Sequence, residues 1–263
     1  MDDIDRRVER LDRAVRAGGQ RAHDAFREPL DVETKDGPLD AVTAVDRAVQ
    51  STVAAELGGP SDAPLVGEEG DARKSVPDEG PAWVVDPIDG TLNYVSGNRT
   101  WATSLALVDG GDPVAAANDF PALGDHVRVG ATGDVTRNGD PVTTSDGDVL
   151  SDLVVAMIYG YGRDHRRAFR DAATTVIDAC GDLRRLGSAQ ATLSMVAAGE
   201  LDAAVSSVSL LPWDTLAGVH LVRRAGGRVT DLDGNPWRHG ADSMVASNGA
   251  GAHDDLLDAL VDE

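Results

Sequence analysis

Apolar residues recur along this chain at two spacings, and the spacing changes with position. Ile4, Val8, Leu11 and Val15 fall three or four residues apart among charged neighbours, which predicts a one-faced helix over residues 4–28. Gly18-Gly19 are expected to weaken the middle of that helix. A second helix is predicted over 46–57. Short runs of β-branched and small apolar residues predict strands near 82–86, 102–108, 113–118 and 126–131. Thr132–Asp148, rich in Gly, Asp and Thr, reads as loops. The second half alternates: strand 153–158, helix 165–180, strand 183–186, helix 188–199, strand 202–206, helix 215–225, strand 244–247, helix 253–261. Alternation of this kind predicts an α/β fold of sheet layers covered by helices. There is no internal repeat and no long linker. Residues 1–140 are expected to form an N-terminal α+β subdomain and 141–263 a C-terminal α/β subdomain.

Charge changes the picture next. The net charge is −21, from 36 Asp and 9 Glu against 22 Arg and only 2 Lys. Self-repulsion of that size opposes a compact state unless salt screens it. The composition is therefore expected of a protein adapted to a high-salt cytosol. Disorder is the rival reading, but 41% of residues are apolar and the periodic segments recur. No basic patch is dense enough for nucleic acid. Arg163, Arg166, Arg167 and Arg170 do cluster, but Asp164 and Asp171 interleave, so a solvated helix face is expected. No apolar run approaches the length of a membrane span. The opening Met-Asp-Asp-Ile-Asp is unlike a secretory signal, so a cytoplasmic location is expected. Cys180 is the lone cysteine and reads as a buried structural thiol.

The chemistry concentrates in Asp86-Pro87-Ile88-Asp89-Gly90-Thr91-Leu92-Asn93. Two carboxylates stand three residues apart at the end of the apolar run Ala82-Trp83-Val84-Val85. Proline keeps Asp86 extended, and Gly90 permits close approach of backbone to a ligand. Free N–H groups at a turn or helix starting at Thr91 would face an anion. Hard oxygen ligands beside such a cradle suit Mg²⁺ and phosphate. A short D-x-x-D alone carries little weight in so acidic a chain. Two partners strengthen it: Gly67-Glu68-Glu69-Gly70 upstream, and Pro212-Trp213-Asp214-Thr215-Leu216-Ala217-Gly218 downstream. Asp214 is expected to N-cap the helix that follows.

These blocks together resemble the inositol monophosphatase superfamily of Mg²⁺-dependent phosphomonoesterases. Lys35, Asp40, Val42, Thr43 and Asp46 match its N-terminal element, and Gly187-Ser188-Ala189 matches its G-S-A element. Leu216 and Arg224 depart from it, standing where Ala and Glu are usual. The resemblance implies a five-layered αβαβα sandwich with the active site between its halves. It implies two or three Mg²⁺ ions and a small phosphate-ester substrate, and a homodimer. Glu68, Asp86 and the Ile88 carbonyl are the implied ligands of one ion, and Asp86, Asp89 and Asp214 those of a second. Asp46 and Thr91, with Glu68, are the implied catalytic residues that orient and activate water. The backbone of Gly90 and Thr91 is the implied phosphate cradle. Two cations about 4 Å apart can bind phosphate oxygens, acidify a water and stabilise the departing alkoxide. Direct attack by water is therefore expected.

Substrate choice is less constrained. The family's inositol-reading Glu, seven residues before the last ligand, falls here on Ser207. Ser207, Ser188 and Arg185 are the candidate substrate contacts, with Arg163 and Arg184 as further candidates for a second phosphate. Fructose-1,6-bisphosphate and myo-inositol-1-phosphate are the leading substrates. A 3′-phosphoadenosine-5′-phosphate phosphatase is the alternative, for which Trp101, Tyr159 and Tyr161 would supply stacking. A catalytically degenerate metal-binding scaffold is the non-enzymatic reading. The segment Thr34–Asp40, punctuated by Gly37-Pro38, is a candidate mobile loop.

Overall fold

The computed structural model describes residues 3–28, 32–34, 41–58, 63–158, 165–249 and 251–261. Lys35, Asp40, Tyr159, Tyr161, Arg163 and most of the candidate mobile loop lie outside them. Helix α1 (Asp3–Ala25) leads to the antiparallel pair β1 (Val32–Thr34) and β2 (Ala41–Thr43), then to α2 (Ala44–Glu56). Seven strands follow and form one sheet in chain order: β3 (Leu65–Gly67), β4 (Pro81–Asp89), β5 (Ala102–Asp109), β6 (Asp112–Phe120), β7 (Asp125–Val129), β8 (Thr136–Arg137) and β9 (Asp140–Pro141). The short helix α3 (Thr91–Val95) interrupts them after β4.

The second half contains β10 (Val154–Met157), α4 (Arg166–Ala179), β11 (Asp182–Arg184), α5 (Ala189–Ala197), β12 (Ala203–Ser206), α6 (Pro212–Arg224), β13 (Arg228–Thr230), β14 (Met244–Ser247) and α7 (Ala252–Val261). Its five strands are ordered β11-β10-β12-β14-β13. The first three run parallel, and β14 is antiparallel to both its neighbours.

Period-two alternation assigns each sheet face to a different core. Trp83, Val85, Leu105 and Leu107 pack with Leu11 and Val15 of α1 and Val49 and Val53 of α2. Their neighbours Ala82, Val84, Ala106 and Val108 face the other way, onto Leu193 and Val196 of α5 and Leu216 and Val219 of α6. That same core takes Ala156, Ala204 and Ala246 from the second sheet. Val155, Met157, Val205 and Val245 pack on the far side against Val176 of α4 and Leu256 and Leu257 of α7. The layers thus run helix, sheet, helix, sheet, helix, as expected from the resemblance. The middle pair, α5 and α6, is shared by both sheets.

Several local expectations are corrected. Gly18-Gly19 do not weaken α1, which is continuous through them. They are contact points. A Cβ on Gly18 would lie 2.7 Å from Val53 Cγ2 and 3.0 Å from Thr103 Cγ2, and one on Gly19 would collide with the Asp119 carboxylate. Cys180 is half-buried, caps α4 and packs on the third core, with burial raising its thiol pKa. Thr132–Asp148 is mostly loop but contributes the two-residue strands β8 and β9. Strand β13 has no strong sequence pattern and is defined by its pairing with β14. Arg167 and Arg170 pair with Asp171 on the exposed face of α4, the solvated arrangement expected.

Candidate metal centre

A register shift makes the site. Strand β4 pairs with β5 regularly from Pro81↔Asp109 to Asp86↔Ser104, and then Asp89 pairs with Ala102. Between those pairs β4 holds one more residue than β5. In a regular strand, residues three apart point to opposite faces. The bulge cancels that parity, so Asp86 and Asp89 can serve one centre. Pro87 sits within the bulge, where its missing N–H breaks no ladder bond. Its carbonyl accepts from Thr103 Oγ1 at 2.9 Å, and the Ile88 carbonyl accepts from Thr91 Oγ1 at 3.1 Å.

Gly90 then turns the chain into α3 with φ 90° and ψ 42°. A side chain there would also press within 3.1 Å of Ser188 and 3.2 Å of the Gly187 and Thr100 carbonyls. Asn93 fixes this crossing by donating to Thr100 O at 2.6 Å and Leu186 O at 2.8 Å.

The second half contributes through two helix starts. The Asp89 carboxylate sits at the N-terminus of α5. It accepts from the Ser188 hydroxyl, from Ala189 N–H at 3.1 Å and from Gln190 N–H at 2.8 Å. Ser188 is itself the N-cap of α5, its oxygen accepting from Ala191 N–H at 3.0 Å. Asp214 is not the N-cap of α6. Leu211 holds that position, and Asp214 is the third residue of the helix, its carboxylate accepting from Leu211 N–H at 3.3 Å. The proline at the first helical position moves the start of α6 upstream of the expected one.

Asp86, Asp89 and Asp214 present one oxygen each within 4.8 Å of one another. Asp86 is 2% exposed and Asp89 6%. Burial first, then the charges of Glu68, Asp89, Asp214 and Asp46, push Asp86 well above the usual carboxylate range. Asp214 is raised likewise by burial and by Asp89 and Glu68. Burial lifts Asp89 to about 6 against the hydrogen bonds from Ser188, Gln190 and Ala189. Asp86 Oδ1 is buried with no hydrogen-bond partner. Three mutually repelling carboxylates with an orphaned oxygen fit a hard divalent cation, which neutralises charge and completes the coordination of such oxygens.

Glu68 follows β3, which runs parallel to β4 with Gly67 opposite Val85, so Glu68 stands beside Asp86. Its charge raises all three aspartates, although it lies outside the 4.8 Å trio. The loop is held from two sides. Gln50 of α2 bonds the Glu69 carbonyl at 2.7 Å and the Glu69 N–H at 3.0 Å. Lys74 Nζ donates to Gly67 O at 2.9 Å and Glu68 O at 2.7 Å, and lies 5.8 Å from the Trp213 ring centroid. Lys74 was not singled out by sequence. Its one visible signal is that it is one of only two lysines.

Asp46 is 1% exposed in the first turn of α2, and its charge is felt at Asp86. Ser207 follows β12, its hydroxyl buried with no partner. Arg185 is exposed just beyond β11. Trp101 is 0% exposed, packed against Phe26 and Tyr94, and cannot stack on a nucleobase. Arg224 pins the loop after β7 through Gly130 O, Ala131 O and Gly133 O. Leu216 is a buried member of the shared core.

Layers and site together define a metal-dependent phosphatase of the αβαβα type. The inositol monophosphatase family model matches residues 5–263, and the chain belongs to that family. It is 34% identical over 226 residues to the inositol-1-monophosphatase ImpA of Mycolicibacterium smegmatis, covering 84% of this chain and 80% of that protein. It is 32% identical over 264 residues to the fructose-1,6-bisphosphatase/inositol-1-monophosphatase of Aquifex aeolicus, covering 98% and 96%. Among solved structures, the Thermotoga maritima IMPase superposes with a TM-score of 0.85 at 29% identity, covering 97% of each chain. The extragenic suppressor protein suhB of Bartonella henselae gives 0.88 at 27%, covering 96% and 97%.

Proposed function

We propose that this enzyme hydrolyses myo-inositol-1-phosphate, fructose-1,6-bisphosphate or both, with Mg²⁺ held by Glu68, Asp86, Asp89, Asp214 and the Ile88 carbonyl. The observation that carries the reading is the buried, unpartnered Asp86 Oδ1 inside the aspartate trio. Bound Mg²⁺ supplies Lewis-acid stabilisation of phosphate charge and acidifies water. The protein's own part is to orient and accept. The Thr91 hydroxyl donates its hydrogen bond to Ile88 O, so its oxygen lone pairs are left to accept a hydrogen bond from the attacking water and orient it. The Asp46 carboxylate is the assigned proton acceptor for the same water. The N–H groups of Gly90 and Thr91 are assigned to the phosphate, and the Ser207 hydroxyl to a substrate hydroxyl. Ser188 is assigned to holding Asp89, because its hydroxyl is engaged at both ends. Arg185 is the candidate for a second phosphate.

Two relatives support the substrate pair, one named as an inositol-1-monophosphatase and one as a dual fructose-1,6-bisphosphatase/inositol-1-monophosphatase. The buried Trp101 weighs against a nucleotide substrate. The test is phosphate release in MgCl₂ from both esters and from 3′-phosphoadenosine-5′-phosphate, with Asp89→Asn as the comparison. Turnover of a sugar or inositol ester that Asp89→Asn abolishes is expected. Preference for the nucleotide, or full activity in Asp89→Asn, would overturn the reading.

A further inference from the structure

Gln190 is completely buried, an environment that costs an amide dearly unless every polar atom is bonded. Its polar atoms are bonded, and the partners matter. The backbone N–H donates to Asp89 Oδ2 at 2.8 Å. Side-chain Nε2 donates to the carbonyl of Trp213, the residue before Asp214, at 2.7 Å. Side-chain Oε1 accepts from Gly218 N–H at 2.8 Å and from Asn118 Nδ2 at 3.0 Å. In an ideal helix the Gly218 N–H would point to the Asp214 carbonyl. Gln190 therefore grips the first two turns of α6 on both sides of Asp214 while its own backbone holds Asp89.

The close approach of the helices is built for this. A Cβ on Gly218 would lie 2.5 Å from Leu193 Cβ and 3.0 Å from Gln190 Oε1. Only glycine lets α5 and α6 come near enough for the amide to bridge them. Asp89 belongs to the first sheet and Asp214 to a helix of the second half. The two carboxylates share no strand or helix, so their separation depends on what joins α5 to α6.

We infer that Gln190 is a positioning residue that fixes Asp214 relative to Asp89 and thereby sets the affinity of the centre for its divalent cation. Its side-chain amide is engaged by Trp213, Gly218 and Asn118, so it acts through the aspartates. The inference rests on the metal-centre reading above. Partners that orient metal ligands typically change affinity by 10–100-fold when removed.

The experiment is calorimetric titration of the full-length, chelator-stripped protein with MgCl₂, paired with thermal melts, for wild type, Gln190→Met, Gln190→Glu and Val196→Ala. Val196 is fully buried on the same helix, in the shared core, and its side chain carries no polar atom, so it reports loss of core packing. Gln190→Met is expected to weaken Mg²⁺ binding at least tenfold. Val196→Ala is expected to lower the melting temperature and keep the wild-type dissociation constant. Gln190→Glu keeps an acceptor for Gly218 but loses the donor to Trp213, so it too is expected to bind Mg²⁺ more weakly. It decides the matter should Gln190→Met fail to fold. Wild-type Mg²⁺ affinity in the Gln190 variants would overturn the inference and leave the metal centre standing. Failure of the wild type to bind Mg²⁺ would refute the metal centre itself, and the inference with it.

Discussion

The hydroxyl of Ser188 donates to Asp89 Oδ2, joining residues 99 positions apart. The bond ties the end of β4 to the start of α5, so one half of the molecule orients a carboxylate of the other. Ser188→Ala removes that donor and the α5 N-cap together. Loss of a cap costs about 1 kcal/mol. Loss of a ligand-orienting bond should weaken Mg²⁺ binding by about tenfold. Melts and Mg²⁺ titrations of the variant check both, and an unchanged Mg²⁺ affinity would show that the hydroxyl serves only the helix.

Removing the metal should make stability depend on pH in a definite direction. Asp86, Asp89 and Asp214 all titrate above their ordinary value in the folded chain, Asp89 at about 6. Their contribution is fully present below about 4, where they are protonated folded or unfolded. It is lost as pH rises through 6 and beyond, when ionised carboxylates must coexist. Mg²⁺ offsets that repulsion. The gap between melting temperatures in MgCl₂ and in EDTA should therefore widen from pH 5 to pH 8. A constant gap would mean that the aspartates do not titrate as a metal site.

Gly18→Ala should destabilise the protein although alanine favours helix by about 0.8–1 kcal/mol. The new methyl would lie 2.7 Å from Val53 Cγ2 and 3.0 Å from Thr103 Cγ2, and overpacking of this kind costs about 1–3 kcal/mol. A melting temperature raised by the substitution would show that α1 can retreat from α2 at no cost.

The same position shows what sequence does and does not reveal. The unbroken apolar run Ala82-Trp83-Val84-Val85 was enough to locate β4, because a strand's composition is local, and the structure adds that its two faces pack on two different cores. The D-P-I-D-G-T run was enough to find the carboxylates. The bulge that puts Asp86 and Asp89 to one use was not visible, since it is defined by register against β5. Nor were Gln190 and Lys74, whose roles come from partners far along the chain. Gly18 looked like a flaw in a helix because the neighbour that requires it, Val53, lies on another helix. The start of α6 was misplaced for a more local reason, Pro212 at its first position.

His126 should matter for stability in a pH-dependent way. Its ring bonds Asp119 at 2.9 Å and Asp12 at 2.8 Å, joining β7 to β6 and α1. Burial alone would lower its pKa, and the two carboxylates together outweigh that and raise it. Asp12 falls to about 2, its bond to His126 outweighing burial, with Arg128 and Arg16 also facing it. The histidine's contribution is fully present below about 6.5 and is lost as pH rises through its raised folded value. That of Asp12 is present above about 4 and lost as pH falls through about 2. His126→Leu, which leaves two carboxylates confronting each other, should cost about 3 kcal/mol between pH 4 and 6.5 and less at higher pH. Denaturant melts across that range check it, and a cost independent of pH would show that the ring acts only by filling space.

Salt should stabilise this protein, and relative magnitudes give the reason. Screening weakens attractive and repulsive pairs alike, so the sign depends on which dominates. Pairs such as Arg228–Asp254 and Arg6–Asp3 are solvent-exposed, where water already weakens the attraction, so little is lost when they are screened. Against them stands the mutual repulsion of 45 acidic residues with only 24 basic ones to answer them. At 0.1 M ionic strength the screening length is about 10 Å, long enough for neighbouring surface carboxylates to feel one another, and at 1 M it is about 3 Å. Repulsion therefore falls more than attraction does. Melting temperature should rise between 0.1 M and 2 M KCl, with each kcal/mol gained worth about 2–4 °C in a chain of this size. MgCl₂ is held constant so that the site itself does not respond. A flat or falling melting temperature would show that the acidic surface is already neutralised by its own arginines, and that a salt-rich cytosol is not what this composition serves.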